Sequence, residues 1–529
     1  MVAVPRSLLT IGAGLLSARA AARLRRKVDS AAQQEKVFSG LIPRLAEASE
    51  WREAGVESGM TYDDYRDRVP LRTYRDLEPQ VERMKRGEPD VLWPGKCQIY
   101  STSAGTTDGG RKHIPVTEPM LRHFKQCGMD SILWYSARAG RSSVFRGRHL
   151  FLGGSTALTP IPGSEPFEAY SGELSGIAAL NLPPWVERQF FEPGSEIAQM
   201  ADWPSKVAAI AERTSKVDIT LLAGIPGWVL LLADAIRAAS ANGKARAPHL
   251  QGIWPHFECF IHGGAPIAPF QDELRSILGP TVNFHEVYPS AEAFIAAQDA
   301  DAAAGLRLMA NAGVFYEFIP MTEFEEGLLH QLGQKAVPLS GVAAGVDYAL
   351  VLTTPAGLAR YVIGDIVRFV TTEPPRLSYV GRTNLRLSAF GEHVIEKELT
   401  DSLIAVCRRN GWTIVNFHVA PIFASSTTGR SSGRHEWWVE LKPGTTITPT
   451  GPIMAVELDH ELMRLNRDYN AKRSRGALDA PFVRLVMPGV FEHWMRFHGK
   501  WGGQNKMPRC RSDRIIADEL GSSLQFAKD

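Results

Sequence analysis

Apolar runs that end directly in glycine-containing turns recur along this chain and constrain its fold more than any other sequence feature. Residues 98–100 lead into the Ser/Thr/Gly segment 101–110, residues 257–261 lead into Gly263-Gly264-Ala265-Pro266, and residues 361–363 lead into Gly364-Asp365. Glycine at the end of a strand permits a sharp turn and the close approach of a flat or charged ligand. We therefore predict strands whose ends carry ligand-binding turns.

The rest of the chain indicates a mixed α/β protein of two or three domains, because 529 residues exceed one ordinary core. Helices are predicted over residues 1–90, and a helical pattern over 207–239 is interrupted at residues 224–227. β-Branched and aromatic runs at short spacing over residues 313–380 predict an antiparallel or barrel-like portion. Helices over 395–409 and 455–471 flank a strand over 437–441, so we place a domain boundary near residues 382–388.

Composition excludes several classes of protein. A formal net charge of +2 gives no dense basic surface for nucleic acid. The five cysteines are scattered without a CxxC pair, which is typical of reduced thiols in a cytosol and not of a zinc site or a disulfide framework. The apolar run 8–16 precedes its basic residues and is too short to span a bilayer, so a surface helix is favoured over a targeting or membrane-touching segment. We expect a cytoplasmic protein without a membrane span.

The segment 101–112 is the strongest local signal for chemistry. Ser103, Thr106 and Thr107 can offer hydroxyls and backbone N–H groups to an oligophosphate, and Lys112 adds positive charge. The segment differs from a Walker loop, because His113 replaces the Ser or Thr that would bind magnesium. A solvent-exposed loop is the alternative.

Two further turns can bind a nucleotide base. Gly264 and Ala265 permit a flat ring such as adenine to approach, although an ordinary tight turn has the same composition. Tyr288 can stack on a base, and Glu292 can recruit Mg²⁺ near phosphates. The alternative for this segment is a helix N-terminus with Ser290 as its cap.

Three residues nearer the C-terminus complete the candidate set. Asp365, predicted in a turn after a strand, can accept hydrogen bonds from a ribose diol, or can cap its own turn. Arg382 can reach phosphate or ribose, or can lie in a plain linker. Lys506, in the segment 502–509, can enter a site from a small C-terminal domain, or can be a solvated lysine.

The order of these motifs resembles that of adenylate-forming enzymes, and more specifically the bacterial branch of the Gretchen Hagen (auxin-responsive) acyl-acid amido synthetase family. The resemblance runs nearly end to end and includes four further segments: Tyr74-Arg75-Asp76-Leu77, Gly87-Glu88-Pro89, residues 315–320 and residues 466–473. So many ordered matches make coincidence implausible.

The resemblance implies a fold, an activity and a set of roles. The fold is α/β and firefly-luciferase-like, with a large ATP- and acyl-acid-binding domain containing a β-barrel (residues 1–382) and a small mobile α+β lid domain (383–529) that carries Lys506. The activity is ATP- and Mg²⁺-dependent adenylation of a carboxylic acid, followed by acyl transfer to an amine, an amino acid being expected. Eleven residues are implied: Ser103, Thr106, Thr107 and Lys112 at phosphate; Gly264, Ala265 and Tyr288 at adenine; Glu292 at magnesium; Asp365 at ribose; Arg382 at the hinge; and Lys506 in catalysis.

Departures from the family pattern leave alternatives open. Ala291 and Ala293 flank Glu292 where the family usually has Ser and Gly, and Val362 stands where Arg often follows Tyr361. Two alternatives therefore remain: a thiol acceptor such as coenzyme A, and a catalytically weak relative that acts as a binding or scaffold protein. Histidines 113, 285 and 393 are candidate bases by residue type, and the aromatic residues of segment 117–184 can line an acyl pocket or form core.

Overall fold

The computed structural model describes residues 6–104, 111–240, 247–264, 267–383, 386–387, 389–390, 392, 394–423, 433–442, 450–498, 501 and 507–526. The chain divides into two compact units. Residues 1–363 and 367–378 form the first, and residues 364–366 and 379–529 form the second. Each unit has its own buried apolar clusters.

Helices begin the first unit, as the sequence predicts: α1 (Arg6–Arg25), α2 (Ser30–Leu45), α3 (Ser49–Glu53), α4 (Tyr62–Arg68) and α5 (Tyr74–Lys85). Local caps fix several of their starts. The Asp29 carboxylate accepts from the Ala32 N–H at 2.9 Å before α2, and the Asp76 carboxylate accepts from the Thr73 N–H at 2.7 Å before α5. These bonds satisfy N–H groups that have no partner inside the helix.

Seven further helices follow in this unit: α6 (Glu118–Ala139), α7 (Leu174–Leu180), α8 (Pro184–Phe190), α9 (Ser195–Ala198), α10 (Trp203–Thr214), α11 (Pro226–Ser240) and α12 (Gln271–Leu278). The strands are β1 (Ile99–Ala104), β2 (Arg111–Pro115), β3 (Arg148–Leu152), β4 (Thr159–Pro160), β5 (Tyr170–Gly172), β6 (Phe191–Glu192), β7 (Ile219–Gly224), β8 (Cys259–Gly263), β9 (Asn283–Pro289), β10 (Phe294–Ala297), β11 (Leu306–Leu308), β12 (Phe315–Pro320), β13 (Val337–Pro338), β14 (Asp347–Thr353), β15 (Tyr361–Thr372) and β16 (Pro375–Arg382).

These strands form a small sheet and a large one. The small sheet has the order β2-β1-β5-β4, and the twelve-stranded sheet has the order β13-β12-β14-β15-β16-β11-β10-β9-β8-β7-β3-β6. Strands β6, β3, β7, β8 and β9 pair in parallel, whereas β9-β10-β11 and β14-β12-β13 pair antiparallel. The antiparallel strands β12, β13 and β14 lie in the segment 313–380, where the dense β-branched runs predict them, whereas the antiparallel pairs of β9, β10 and β11 precede it.

The second unit is a smaller α+β body. Its helices are α13 (Glu396–Asn410), α14 (Gly451–Leu465), α15 (Arg467–Ser474), α16 (Val490–Phe497) and α17 (Ile515–Phe526), and its strands are β17 (Arg386–Leu387), β18 (Val394–Ile395), β19 (Ile414–Ile422), β20 (Arg434–Leu441) and β21 (Phe482–Val486). Strand β20 pairs antiparallel with β19 and parallel with β21. Buried Leu403, Val439 and Leu458 join helices and sheet in one core.

Three sequence predictions are wrong in detail. The helical pattern over 207–239 contains β7, because a parallel strand buried on both faces has a continuous apolar run that lacks strand periodicity. The helix expected over 455–471 is two helices, because the Asn466 side chain accepts from the Tyr469 N–H at 2.7 Å and so caps a new helix. The loop expected from Ser101 begins later, because β1 continues to Ala104.

The N-terminal apolar run lies in α1, which packs against α6 through the buried Ala13 and Ala20. Among the described residues, no helix is long and apolar enough to cross a membrane.

Candidate functional site

The hydroxyl-rich segment is the end of a β-hairpin. In the β1–β2 pair, Ser103 lies opposite Lys112 and Tyr100 opposite Pro115. Thr106 and Thr107, which the sequence assigns to phosphate, lie outside the described residues, and of Ser103 the structure describes the backbone. The Ser101 hydroxyl is buried and has no hydrogen-bond partner among the described residues. The hairpin thus brings Ser103 and Lys112, candidates from opposite ends of the segment, to adjacent positions.

Tyr74 holds the strand β2 of this hairpin, a role that the sequence analysis missed. Its hydroxyl accepts from the His113 N–H at 2.9 Å, and Lys112 Nζ lies 5.8 Å from the centre of its ring. Burial raises the pKa of Tyr74 to about 12, so its phenol is neutral at neutral pH. Tyr74 begins one of the four segments that carry the family resemblance, which was the available signal.

The glycine pair Gly263-Gly264 lies at the end of β8, where a side chain on Gly263 would clash with the neighbouring strand. A Cβ at Gly263 would lie 2.4 Å from the Val287 carbonyl oxygen, and Gly264 has φ +72°. The pairing register puts Gly224, Gly263 and Val287 near the carboxyl ends of the parallel strands β7, β8 and β9. Crevices at the carboxyl ends of parallel strands are where open α/β sheets bind ligands. Ala265 lies outside the described residues.

Glu292 lies in the turn that follows β9. The Ser290 hydroxyl accepts from the N–H groups of Glu292 and Ala293 at 3.2 and 3.1 Å, and the chain then enters β10. The alternative of a helix N-terminus is therefore wrong, although Ser290 does cap the turn. Tyr288 and Glu292 are both buried, at 8% and 6% exposure.

Tyr361 contacts Glu292 from a distant part of the sequence. Its hydroxyl donates to Glu292 Oε1 at 3.4 Å, and its side chain is fully buried at the start of β15. The sequence analysis quoted Tyr361 within a motif and gave it no partner. The structure thus adds a tyrosine that orients the candidate metal ligand.

Arg360 and Val362 explain the departure from the family pattern beside Tyr361. Arg360 is fully buried, with φ +47°, and its guanidinium binds the Glu317 carboxylate at 3.0–3.2 Å. It also donates to the carbonyl oxygens of Arg66, Val69 and Gly333 at 2.7–2.8 Å. Val362 packs in an apolar cluster with Ile319 and Val351. Arg360 is thus committed to the core and cannot replace the missing arginine at phosphate.

Asp365 and Arg382 form a pair within the second unit. Arg382 Nε lies 3.2 Å from Asp365 Oδ1, and the Thr383 N–H donates to the Gly364 carbonyl at 2.8 Å. Asp365 lies inside β15 and not in a turn after a strand as predicted, and the preceding Gly364 has φ +87°. The Asp365 carboxylate, which faces the Arg382 guanidinium through Oδ1, has the acceptor chemistry that a ribose diol requires.

Lys506 lies outside the described residues, and the three residues that follow it make defined contacts. Met507 is buried, and the Pro508 carbonyl lies 2.8 Å from His418 Nδ1. The Arg509 guanidinium lies 4.8 Å from the centre of the Phe417 ring, and burial lowers its pKa. Residues 507–509, which follow Lys506 in the sequence, thus pack within the second unit.

The structure removes one candidate base and assigns two of the acyl-pocket candidates to the core. His285 is fully buried, its Nε2 lies 3.0 Å from the Ser131 hydroxyl, and desolvation lowers its pKa to about 3. It cannot reach a substrate amine. His113 is half-buried, and His393 lies outside the described residues. Of the aromatic candidates for the acyl pocket, Phe124 and Tyr135 are core residues.

Comparisons with known proteins identify the family of this chain. The model of the GH3 family N-terminal domain matches residues 23–282, that of the central domain matches 307–382, and that of the C-terminal domain matches 397–515. The chain belongs to the GH3 family. Its curated relatives are named amido synthetases, which are ligases of the adenylate-forming class.

This GH3 chain is 24% identical to the indole-3-acetic acid-amido synthetase GH3.8 of Oryza sativa subsp. indica, over 93% of this chain and 90% of that protein. It is 23% identical to the jasmonoyl–L-amino acid synthetase JAR6 of Nicotiana attenuata, over 84% and 85% of the two chains. The structure of the GH3.15 acyl acid amido synthetase matches with a TM-score of 0.71 at 17% identity, over 93% of both chains. A 2-hydroxyisobutyryl-CoA ligase matches with a TM-score of 0.57 at 14% identity, over 94% of this chain and 91% of that one. The adenylate-forming fold predicted from the resemblance is confirmed.

Proposed function

We propose that this GH3 protein is an ATP-dependent acyl-acid amido synthetase. It adenylates a carboxylic acid and transfers the acyl group to the amino group of an amino acid. One observation carries the proposal: the Gly263-Gly264 turn and the turn that holds Glu292 follow adjacent parallel strands, where α/β sheets bind ligands. Relatives that match nearly the whole chain are named for the same reaction class.

The chemistry that we propose proceeds in two steps. A carboxylate oxygen of the acid attacks the α-phosphorus of ATP, and the bond to the bridging oxygen breaks, which gives the acyl-adenylate and pyrophosphate. The amine nitrogen then attacks the acyl carbon, the bond to the AMP oxygen breaks, and the amine loses a proton. The first step joins two anions, so positive charge and positioning supply most of the catalysis.

The residues divide this work by their chemistry. Ser103, Thr106, Thr107 and Lys112 hold the phosphates, with Lys112 carried on a strand whose position Tyr74 fixes. Gly264, Ala265 and Tyr288 receive the adenine, and Asp365 accepts from the ribose. Arg382 orients Asp365, and Lys506 acts on the developing phosphate charge. A functional division into a nucleotide- and acid-binding domain (1–382) and a lid domain (383–529) remains part of this proposal.

Glu292 fits the role of a magnesium ligand when ATP supplies the others. The described residues contain no group of three or more His, Cys, Asp or Glu side chains that could hold a metal by themselves. Magnesium in nucleotide sites needs one or two carboxylates, and phosphate oxygens and water complete its shell. When bound, Mg²⁺ neutralises phosphate charge. The buried Glu292 carboxylate, oriented by the Tyr361 hydroxyl, provides the protein's share.

The acceptor and the location are the least constrained parts of the proposal. A coenzyme A ligase shares the fold, so the fold is compatible with a thiol acceptor as well as with an amine. The amido synthetase names of the relatives favour the amine. A net charge near zero and scattered reduced cysteines favour action on small molecules in the cytoplasm.

Acid-dependent exchange of pyrophosphate into ATP tests the adenylation step. The wild-type protein is assayed with aryl, indolyl and fatty acids, beside Glu292→Ala and the control Glu325→Ala, which removes an exposed carboxylate elsewhere. We expect exchange with one acid class, its loss in Glu292→Ala and its retention in the control. Absence of exchange with every acid, despite measurable ATP binding, would contradict the proposal and favour the scaffold alternative.

Mass spectrometry of the product distinguishes the acceptors once the acid is known. Incubation with ATP, the active acid and either mixed amino acids or coenzyme A gives an amide or a thioester. We expect the amide. Formation of the thioester alone would support the adenylation step and would contradict the proposal that the acceptor is an amine.

A further inference from the structure

The N-terminal helix α1 is oriented opposite to an ordinary surface helix. Its small residues face the protein: Ala13, Ser17 and Ala20 are 8%, 6% and 8% exposed. Three large apolar residues face outward, with Leu8, Ile11 and Leu15 57%, 61% and 63% exposed, whereas Leu9 packs against the core. The spacing of three and four residues puts these outward side chains in one stripe along the helix.

This orientation is built into the packing. Ala13 and Ala20 join the core cluster of Leu133 and Val144, and a Cβ at Gly14 would lie 3.4 Å from the Ser142 hydroxyl. The buried face of α1 therefore consists largely of small residues in van der Waals contact with the protein. A helix docked for stability alone would bury its leucines, because burial of apolar area is the main favourable contribution to folding. The outward stripe therefore fits a second apolar environment.

Charge identifies that environment. The first 28 residues hold six basic and no acidic side chains, whereas the formal net charge of the whole chain is +2, so the remainder has a net charge of −4. Arg19 and Arg26 are exposed and continue the stripe of Leu8, Ile11 and Leu15 toward the C-terminal end of α1. Arg23, Arg25 and Lys27 are also exposed. A second copy of this surface would be repelled, because it would bring the same basic residues together.

We propose that α1 binds the surface of an anionic lipid bilayer. Leu8, Ile11 and Leu15 enter the boundary between headgroups and acyl chains, and the basic residues lie at the lipid phosphates. Helices with an apolar stripe and basic flanks bind in the plane of the interface in this way. No described helix spans a membrane, so the attachment is peripheral and reversible. The proposal is independent of the enzymatic activity.

Sedimentation with vesicles tests this surface on the full-length protein. Binding to vesicles of phosphatidylcholine with phosphatidylglycerol is compared with binding to phosphatidylcholine alone, at low and raised salt. The variant Leu8→Ser/Ile11→Ser/Leu15→Ser should bind anionic vesicles at least tenfold more weakly than the wild type. Its matched control, Leu180→Ser/Leu231→Ser/Val415→Ser, removes three other exposed apolar side chains and should bind like the wild type.

A second pair of variants isolates the charge. Arg19→Gln/Arg26→Gln should weaken binding to anionic vesicles by about tenfold or more at low salt, and raised salt should reduce the difference. Arg408→Gln/Arg467→Gln, which removes two exposed arginines elsewhere, should have no effect. Unfolding curves that match the wild type establish that each variant is folded. Failure of the wild type to bind anionic vesicles, equal binding to neutral vesicles, or unchanged binding of either α1 variant would overturn the proposal.

Discussion

Arg360 and Tyr361 are neighbours in sequence, yet they hold two carboxylates in opposite ways. Arg360 forms an ion pair with Glu317 at 3.0 Å, and the Tyr62 hydroxyl donates to the same carboxylate at 3.0 Å. Tyr361 gives Glu292 one neutral hydroxyl at 3.4 Å. Both carboxylates are buried. The two neighbouring residues thus contact the two carboxylates through different chemistry, a guanidinium for Glu317 and a phenol for Glu292.

The difference shows how two consecutive residues can serve separate purposes: Arg360 stabilises the core through Glu317, and Tyr361 contacts Glu292 of the candidate site. A guanidinium compensates the charge of Glu317, so this pair fixes structure. The Tyr361 phenol donates a hydrogen bond to Glu292 and carries no positive charge, so this contact orients the carboxylate in the way that a site residue requires. The φ of +47° at Arg360 is a costly conformation for a residue other than glycine, and the five guanidinium hydrogen bonds hold it in place.

Breaking the Arg360–Glu317 pair should have the largest effect. Arg360→Met leaves the Glu317 carboxylate buried without its cation, so we expect a loss of about 3–5 kcal/mol in the free energy of unfolding, measured with urea. The double variant Arg360→Met/Glu317→Leu should recover a substantial part of that loss. A double variant as unstable as the single one would show that the uncompensated charge is not the cause.

Removing the charge of Glu292 should affect activity and leave stability nearly intact. Glu292→Gln keeps the side-chain volume, so we expect acid-dependent pyrophosphate exchange to fall about 100-fold. The free energy of unfolding should change by no more than about 1 kcal/mol. A large loss of stability with normal exchange would make Glu292 a structural residue like Glu317.

Asp365 extends the comparison to the second unit, where a carboxylate faces a guanidinium in a proposed site. Asp365→Asn should raise the KM for ATP about tenfold, which is ~1.4 kcal/mol, with a smaller change in kcat. Steady-state exchange kinetics at varied ATP measure both constants. An unchanged KM would show that the pair with Arg382 is structural, as the Arg360–Glu317 pair is.

The smallest effect is expected from removal of the Tyr361 hydroxyl. Tyr361→Phe should raise the Mg²⁺ concentration that gives half-maximal exchange about three- to tenfold, because one hydrogen bond contributes about 1 kcal/mol. Titration of Mg²⁺ at saturating ATP measures this change, and unfolding in urea provides the control. A variant with wild-type Mg²⁺ dependence would remove Tyr361 from the site.

Sequence patterns located many elements because periodicity and turn residues are local properties. The helices of the first 90 residues, the strand before Gly263 and the antiparallel strands of the central segment follow from such patterns. Strand β7 was missed, because a strand buried on both faces lacks alternation. The break at Asn466 was missed, because the cap depends on a single side-chain bond inside a helical pattern.

By itself, the sequence determined the order of the candidate motifs and the glycine turns that carry them, because these depend on residue type and short spacing. Only the tertiary structure decided the partners. It assigned Arg360 to Glu317, Tyr361 to Glu292 and Tyr74 to the β1–β2 hairpin. It also left Leu8, Ile11 and Leu15 of α1 exposed, because Ala13, Ser17 and Ala20 occupy the buried face of this helix. Contacts between distant residues depend on how elements pack, and no local pattern encodes that packing.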